Sequence, residues 1–330
     1  MVEQKISGCK VLVTGAAGFI GSNLVEDLLD HDNEVIGLDN FETGHRVNIE
    51  EFQNHQGFTF IEADILDKEA CEKACKGVDY VLHQAALGSV PRSIENPIRT
   101  NNINVNGFLN IITAARDQKV KRFVYATSSS VYGTEKRLPK VEAKIGRPLS
   151  PYAITKHVNE QYARVYFDLY GLETIGLRYF NVFGKKQDPA GAYAAAIPKF
   201  IGQLIKHQSP TIHGDGTQSR DFTYIDNVIQ ANNIAALSTN PVSLGEVFNV
   251  AYGESTNLNE LIEVLQELLS DFDPEIANVQ IKPGEERIGD VRHSLASIVK
   301  SQTMLGYRPK YDLQAGLEKA IHWYWNNLQG

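Results

Sequence analysis

Residues 10–21 read KVLVTGAAGFIG, an aliphatic run that breaks into glycine at every third position: Gly15, Gly18 and Gly21. The run Lys10–Thr14 reads as a strand, and helical spacing resumes from Gly21 to Leu29. The glycines therefore fall on a strand-to-helix turn, where missing side chains admit a ligand and backbone amides face a pyrophosphate. Glycine also marks ordinary turns, and the spacing is GxxGxxG and not GxGxxG, so the next strand has to support the reading. That strand, Glu34–Asp39, ends on a carboxylate about 20 residues downstream, where such folds bind the adenosine ribose hydroxyls. Asp39 would repel a 2'-phosphate, and neither Leu38 nor Asn40 is an arginine that would pair with one. The cofactor expected here is NAD.

Outward from this turn the chain alternates short β-branched runs with amphipathic segments, as in an α/β, doubly wound parallel sheet of Rossmann type. Further strands are expected at Phe58–Asp64, Tyr80–Gln84, Arg122–Ser128 and Thr174–Tyr179, with helices at Lys68–Cys75, Asn102–Asp117 and from Pro151. Beyond Phe180 proline and glycine punctuate shorter pieces. The division expected is an NAD-binding domain over 1–179, with a segment near 221–252 returning to it, and a smaller C-terminal α/β substrate domain over 180–330.

The chain has 330 residues, 42% hydrophobic and 22% charged, with a formal net charge of −8. These proportions belong to a globular protein, and the acidity argues against nucleic acid or an anionic membrane as a partner. No apolar run reaches the roughly 20 residues of a spanning helix, and MVEQKISGCK lacks the pattern of a signal peptide, so a cytoplasmic location is expected. Cys9, Cys71 and Cys75 are too sparse for a disulfide framework. Cys71 and Cys75 lie one helical turn apart and are expected on a packing face, with no metal site.

In SPYAITK, Ser150 suits a helix N-cap and Pro151 the first helical position, which puts Tyr152 and Lys156 one turn apart on one face. An ammonium beside a phenol is expected to lower the phenol's pKa, so that Tyr152 takes a proton from an alcohol near neutral pH. Upstream, YATSSSVYG at 125–133 ends a strand and brings hydroxyls to the carboxyl edge of the sheet, where open α/β folds bind ligands.

Together, TGAAGFIG, Asp39, HQAA at 83–86, TSSSVYG, SPYAITK and RYFNVFG resemble the extended short-chain dehydrogenase/reductases, and among them the nucleotide-sugar 4-epimerases, over nearly the whole chain. The resemblance implies Tyr152 as base, Lys156 on the nicotinamide ribose and Ser128 on the sugar O4. It implies a tightly bound, recycled NAD held by Gly15, Gly18, Phe19, Ile20, Asp39, Asn40, Gln84, Ala85, Ala86, Tyr179 and Asn106, the last matching the family's NNVNG segment, with Asp64 and Ile65 flanking adenine. For a UDP-sugar it implies Gly88, Ser89, Ser129, Ser130, Asn181, Gln187, Ala195, Gln218, Arg220, Arg287, Asp290 and Ser294. Arg220 and Arg287 suit a diphosphate because guanidinium groups meet phosphate oxygens in pairs.

Relatives that dehydrate or decarboxylate place an acidic residue where this chain has only Ser128, Ser129 and Ser130, which favours epimerisation. AALGSVPRSIENP at 85–97 and GDVRHSLA at 289–296 resemble epimerases preferring N-acetylated UDP-hexosamines, and Ser294 stands where restrictive relatives carry tyrosine. The resemblance thus points to interconversion of UDP-GlcNAc and UDP-GalNAc. Two alternatives stay open: a uronate 4-epimerase, with Arg92 or Arg99 meeting the carboxylate, and a catalytically silent dinucleotide-binding regulator. The helical stretches 102–117 and 152–170 resemble those of the family's four-helix dimer interface, so a homodimer is expected.

Overall fold

Alternate residues of Lys10–Thr14 (β1) point to opposite apolar layers. Val11 and Val13 join Leu24 and Leu28 of helix Phe19–Leu29 (α1), whereas Leu12 joins Phe108, Ile111 and Phe123. A strand covered on both faces belongs to a parallel sheet, and the neighbours of β1 are both parallel to it. The computed structural model describes residues 4–189, 195–284 and 292–328.

The other strands are β2 (Glu34–Asp39), β3 (Phe58–Glu62), β4 (Tyr80–His83), β5 (Arg122–Ser128), β6 (Thr174–Tyr179), β7 (Val182–Phe183), β8 (Thr211–His213), β9 (Ser219–Arg220), β10 (Thr223–Tyr224), β11 (Glu246–Val250), β12 (Thr256–Asn257) and β13 (Lys282–Gly284). Six of them form one seven-stranded sheet with β1, in the order β11-β6-β5-β4-β1-β2-β3. The remaining strands pair as β10 with β7, β12 with β9 and β13 with β8.

Helices α2 (Lys68–Ala74), α3 (Val90–Glu95), α4 (Pro97–Asn101), α5 (Phe108–Asp117) and α6 (Pro151–Tyr170) connect the sheet strands. After β6 come α7 (Ala196–Ile205), α8 (Ile225–Leu237), α9 (Leu258–Ser270), α10 (Val299–Met304) and α11 (Leu313–Asn327). Helix α8 packs back on β5 and β6, and β11 then extends the sheet beside β6.

Where one helix was expected over 102–117, residues Asn102–Gly107 form a wider π turn and the α-helix starts at Phe108. The cause is a contact with the segment after β4: the buried Asn104 accepts the Leu87 amide at 2.8 Å and donates to the Leu87 carbonyl at 3.1 Å, a hook that the helical register has to accommodate. Strand β3 stops at Glu62, two residues short of the expected end, because Asp64 turns to accept the Leu66 amide at 2.8 Å.

Cys71 and Cys75 are fully buried in the layer around Leu12. Burial pushes the Cys71 thiol up to about 12 and raises Cys75 further. At pH 8 the folded protein should therefore show iodoacetamide labelling at Cys9 alone, and unfolding should expose the other two, as read by mass spectrometry.

Candidate active site

The carboxyl ends of β1, β2, β4, β5 and β6 open into one cleft of about 510 Å³. At its start Gly15 adopts φ +70°, and a Cβ there would lie 2.8 Å from the Ala85 amide nitrogen. Gly21 is equally constrained: its Cβ would stand 2.0 Å from the Gly15 carbonyl oxygen. Glycine is what lets β1, α1 and the segment after β4 approach so closely. Gly18 caps α1 without a side-chain bond, and the first turn carries no acidic residue, so its amides and the positive end of the helix are suited to an anion.

Asp39 lines the same cleft, accepting the Phe41 amide at 2.8 Å and the Ala17 amide at 3.0 Å. Burial raises its pKa and those backbone donors oppose the rise. Farther along, Asn40 donates to Asp64 at 2.9 Å beside Ile65, and all three line the wall. At the other end Tyr179 donates to Gln84 at 3.2 Å and receives Asn232 at 2.9 Å. Burial drives the Tyr179 phenol up to about 12, against those two bonds. A glycine-lined helix start, a ribose-side carboxylate and a recess for a flat ring fit NAD: Gly15, Gly18, Phe19 and Ile20 would take the pyrophosphate, Asp39 and Asn40 a ribose, and Asp64 with Ile65 the adenine.

Between these ends stands Tyr152. Ser150 caps α6 by accepting the Ala153 amide at 3.1 Å, with Pro151 in the first turn, so Tyr152 and Lys156 both face the cleft. Tyr152 is hydrogen-bonded to Ser128 at the end of β5. Lys156 is buried, donates to the Ala126 carbonyl at 2.9 Å and stands 6.0 Å from the Tyr152 ring centre.

The expected lowering of the phenol's pKa by the lysine is not what this arrangement gives. Burial raises the Tyr152 phenol, with the Ser128 bond pulling the other way, because a phenolate here would lose its water. Burial also brings Lys156 down to about 8, against the pull of Glu160, and burial of His83, with the Lys156 charge adding to it, brings that imidazole to about 3. His83 is thus neutral, its Nδ1 2.8 Å from the Thr14 hydroxyl.

Gly88, Ser89, Ala85 and Ala86 line the cleft above Tyr152, and Asn181, Gln187 and Ala195 close it. Those last three also border a second cavity of about 270 Å³, which takes in Gln218, Arg220, Phe200 and Leu258. The two hollows therefore adjoin along a shared wall that includes Asn181. Arg220 is tied to the Ser219 and Arg292 carbonyls at 3.0 and 3.1 Å. Ser294 is buried outside both linings, its amide donating to Ser219 at 3.0 Å.

Asn106, expected on the cofactor, is exposed and donates to Asn102 at 2.6 Å, because the π turn points Ile103 into the cleft and Asn104 at Leu87. Ser129 and Ser130 leave the cleft in a 3-10 turn, where the Ser130 amide donates to Ser128 at 3.2 Å. Arg287 and Asp290 lie outside the described residues. Thr127, Ile103, Phe200 and Leu258 line the two hollows without having been expected there. Only Thr127 carried a signal, as a further hydroxyl in the TSSS run.

A family model described as the NAD dependent epimerase/dehydratase family matches residues 11–251. The putative UDP-glucose 4-epimerase of Methanocaldococcus jannaschii is 40% identical over 319 residues, spanning 96% of this chain and 99% of that protein. The structure of the UDP-N-acetylglucosamine 4-epimerase of Methanobrevibacter ruminantium, in complex with UDP-N-acetylmuramic acid, superposes with a TM-score of 0.90 at 38% identity, over 97% of this chain and 99% of that one. The UDP-glucuronic acid 4-epimerase of Bacillus cereus, in complex with UDP-glucuronic acid and NAD, gives 0.85 at 32% identity, over 96% and 98%. Matched in this way from end to end, the chain belongs to the NAD dependent epimerase/dehydratase family and is an enzyme that works with NAD.

Proposed function

We propose that the protein is a nucleotide-sugar 4-epimerase that interconverts UDP-GlcNAc and UDP-GalNAc. The observation that carries this reading is the wall that the two hollows share at Asn181, Gln187 and Ala195: a nucleotide held beside Gln218 and Arg220 would have its sugar on the side of Tyr152 and Ser128. Bound NAD supplies a hydride acceptor, and then a donor, for the sugar's C4. Ionised for this step, against the burial that raises its pKa, Tyr152 removes the O4 proton as C4 loses hydride, and returns it when hydride comes back to the opposite face of the 4-keto sugar. Ser128 holds O4, and the Lys156 ammonium offsets the negative charge on the phenolate. There is no net redox change.

The acetamido preference is supported by the likeness to the Methanobrevibacter ruminantium enzyme; Ser294, buried outside both hollows, adds nothing to it. A uronate substrate is the second reading. Glu42 binds Arg99 through two bonds at 2.8 and 2.7 Å, so Arg92, which lines the cleft, is the cation that this reading needs. The exposed apolar side chains Ile154, Val165 and Leu169 on α6 support the homodimer.

Incubation with UDP-GlcNAc, UDP-glucose and UDP-glucuronate, without added NAD, tests the reading by nucleotide-sugar chromatography. The expected result is fastest conversion of UDP-GlcNAc to UDP-GalNAc. Conversion of the uronate alone would overturn it.

A further inference from the structure

Directly beneath the tyrosine and lysine lies an ion pair that the epimerase reading leaves without a role. Glu160 follows Lys156 by one turn of α6 and is almost fully buried, with side-chain exposures of 5% for Glu160 and 3% for its partner Arg178. Arg178 of β6 reaches it through two bonds, at 2.8 and 2.7 Å. The Thr127 hydroxyl of β5 donates to the same carboxylate at 2.8 Å. Thr127 stands between Ala126, whose carbonyl takes the Lys156 ammonium, and Ser128, which is bonded to Tyr152. Arg178 in turn precedes Tyr179 of the cofactor end, and its third bond goes to the Glu142 carbonyl at 3.0 Å. One carboxylate thus joins α6, which carries Tyr152 and Lys156, to the ends of β5, which carries Ser128, and of β6, which carries Tyr179.

We propose that Glu160 is a positioning residue of this active site. Clamped by Thr127 and Arg178, it holds the Ala126–Ser128 strand end in register with Tyr152 and Lys156, and it places the nearest negative charge beside the buried ammonium. The proposal rests on the epimerase reading for its kinetic consequence alone.

The surroundings leave the charge role to Glu160. From β4 the group facing Lys156 is the neutral His83; on α6 itself it is the protonated Tyr152. Around Glu160 stand the buried Tyr125 of β5, Arg178 of β6 under the Tyr132 ring at 5.1 Å, and Glu142, whose carboxylate is taken up by the Asn249 amide at 2.9 Å. Without Glu160 the ammonium would keep one carbonyl and no counter-charge, and its pKa, already about 8, would fall further.

The test uses the NAD-loaded protein with Thr127→Val, Thr127→Ser and Glu160→Gln. Thr127→Val keeps the ion pair and removes the hydroxyl. It should lower kcat about tenfold with KM within about twofold and little change in melting temperature, and Thr127→Ser should restore kcat. A kcat in Thr127→Val within twofold of the parent, or a fall that serine fails to restore, overturns the positioning role. Independently of any substrate, nitrogen-15 NMR of the Lys156 side chain should show it titrating at lower pH in Glu160→Gln; an unchanged titration overturns the charge role. Should Glu160→Gln fail to fold, Thr127→Val and its serine rescue still decide the positioning role. A parent protein that turns over none of the UDP-sugars defeats the epimerase reading, while the lysine titration still decides for or against Glu160.

Discussion

Tyr152→Phe should lower turnover by about a hundredfold or more, with the fold and the bound cofactor unchanged. The ring stays, so the packing around the start of α6 is preserved; what goes is the oxygen that meets Ser128 and would meet the sugar O4. Among the described residues, the two ionisable groups nearest to it are engaged elsewhere. His83 is neutral and held by Thr14, and the Lys156 ammonium is turned to the Ala126 carbonyl. Steady-state kinetics should show the loss in kcat, with KM within a few-fold. Near-parental turnover would remove Tyr152 from the chemistry.

Arg178→Met should cost about 3–5 kcal/mol of stability, because it leaves the Glu160 carboxylate buried with only the Thr127 hydroxyl to satisfy it. That is a large share of the roughly 5–15 kcal/mol of a typical native state. The effect belongs to the missing partner more than to the pair, since buried ion pairs replaced whole by apolar groups often cost little. Adding Glu160→Gln to Arg178→Met should therefore recover part of the loss. Urea unfolding measures both: a single variant as stable as the parent, or a double variant no better than the single, would contradict this account of the pair.

The strands that position the cofactor were legible because each is a continuous apolar run with a sharp end. Lys10–Thr14, Glu34–Asp39, Arg122–Ser128 and Thr174–Tyr179 have the limits that the sequence predicts. Strand ends that bend into the cleft were overrun, at Asp64 and Gln84, since their side chains and amides bond neighbouring strands and loops; the Gln84 amide, for instance, donates to Thr14 at 3.1 Å. The π turn at Asn102–Gly107 depends on a hook between Asn104 and Leu87, seventeen residues apart, that no local pattern shows. It also turned Asn106 outward, against expectation.

The same contrast runs through the active site. Glycines, Asp39, Tyr152 and Lys156 lie in short contiguous motifs whose spacing carries their geometry. Phe200 and Leu258 reach the second cavity from the second turn of α7 and the start of α9 and have no motif of their own, so only the fold reveals them. The raised Tyr152 pKa was hidden for another reason: sequence spacing gives the lysine's proximity but not the depth of burial that outweighs it.

In the proposed mechanism hydride leaves C4 of the sugar and returns to the same carbon. UDP-GlcNAc carrying deuterium at C4, incubated in ordinary water, tests this by mass spectrometry and NMR of the product. The expected product is UDP-GalNAc that keeps the deuterium at C4. Product in which solvent hydrogen has replaced it would rule the mechanism out.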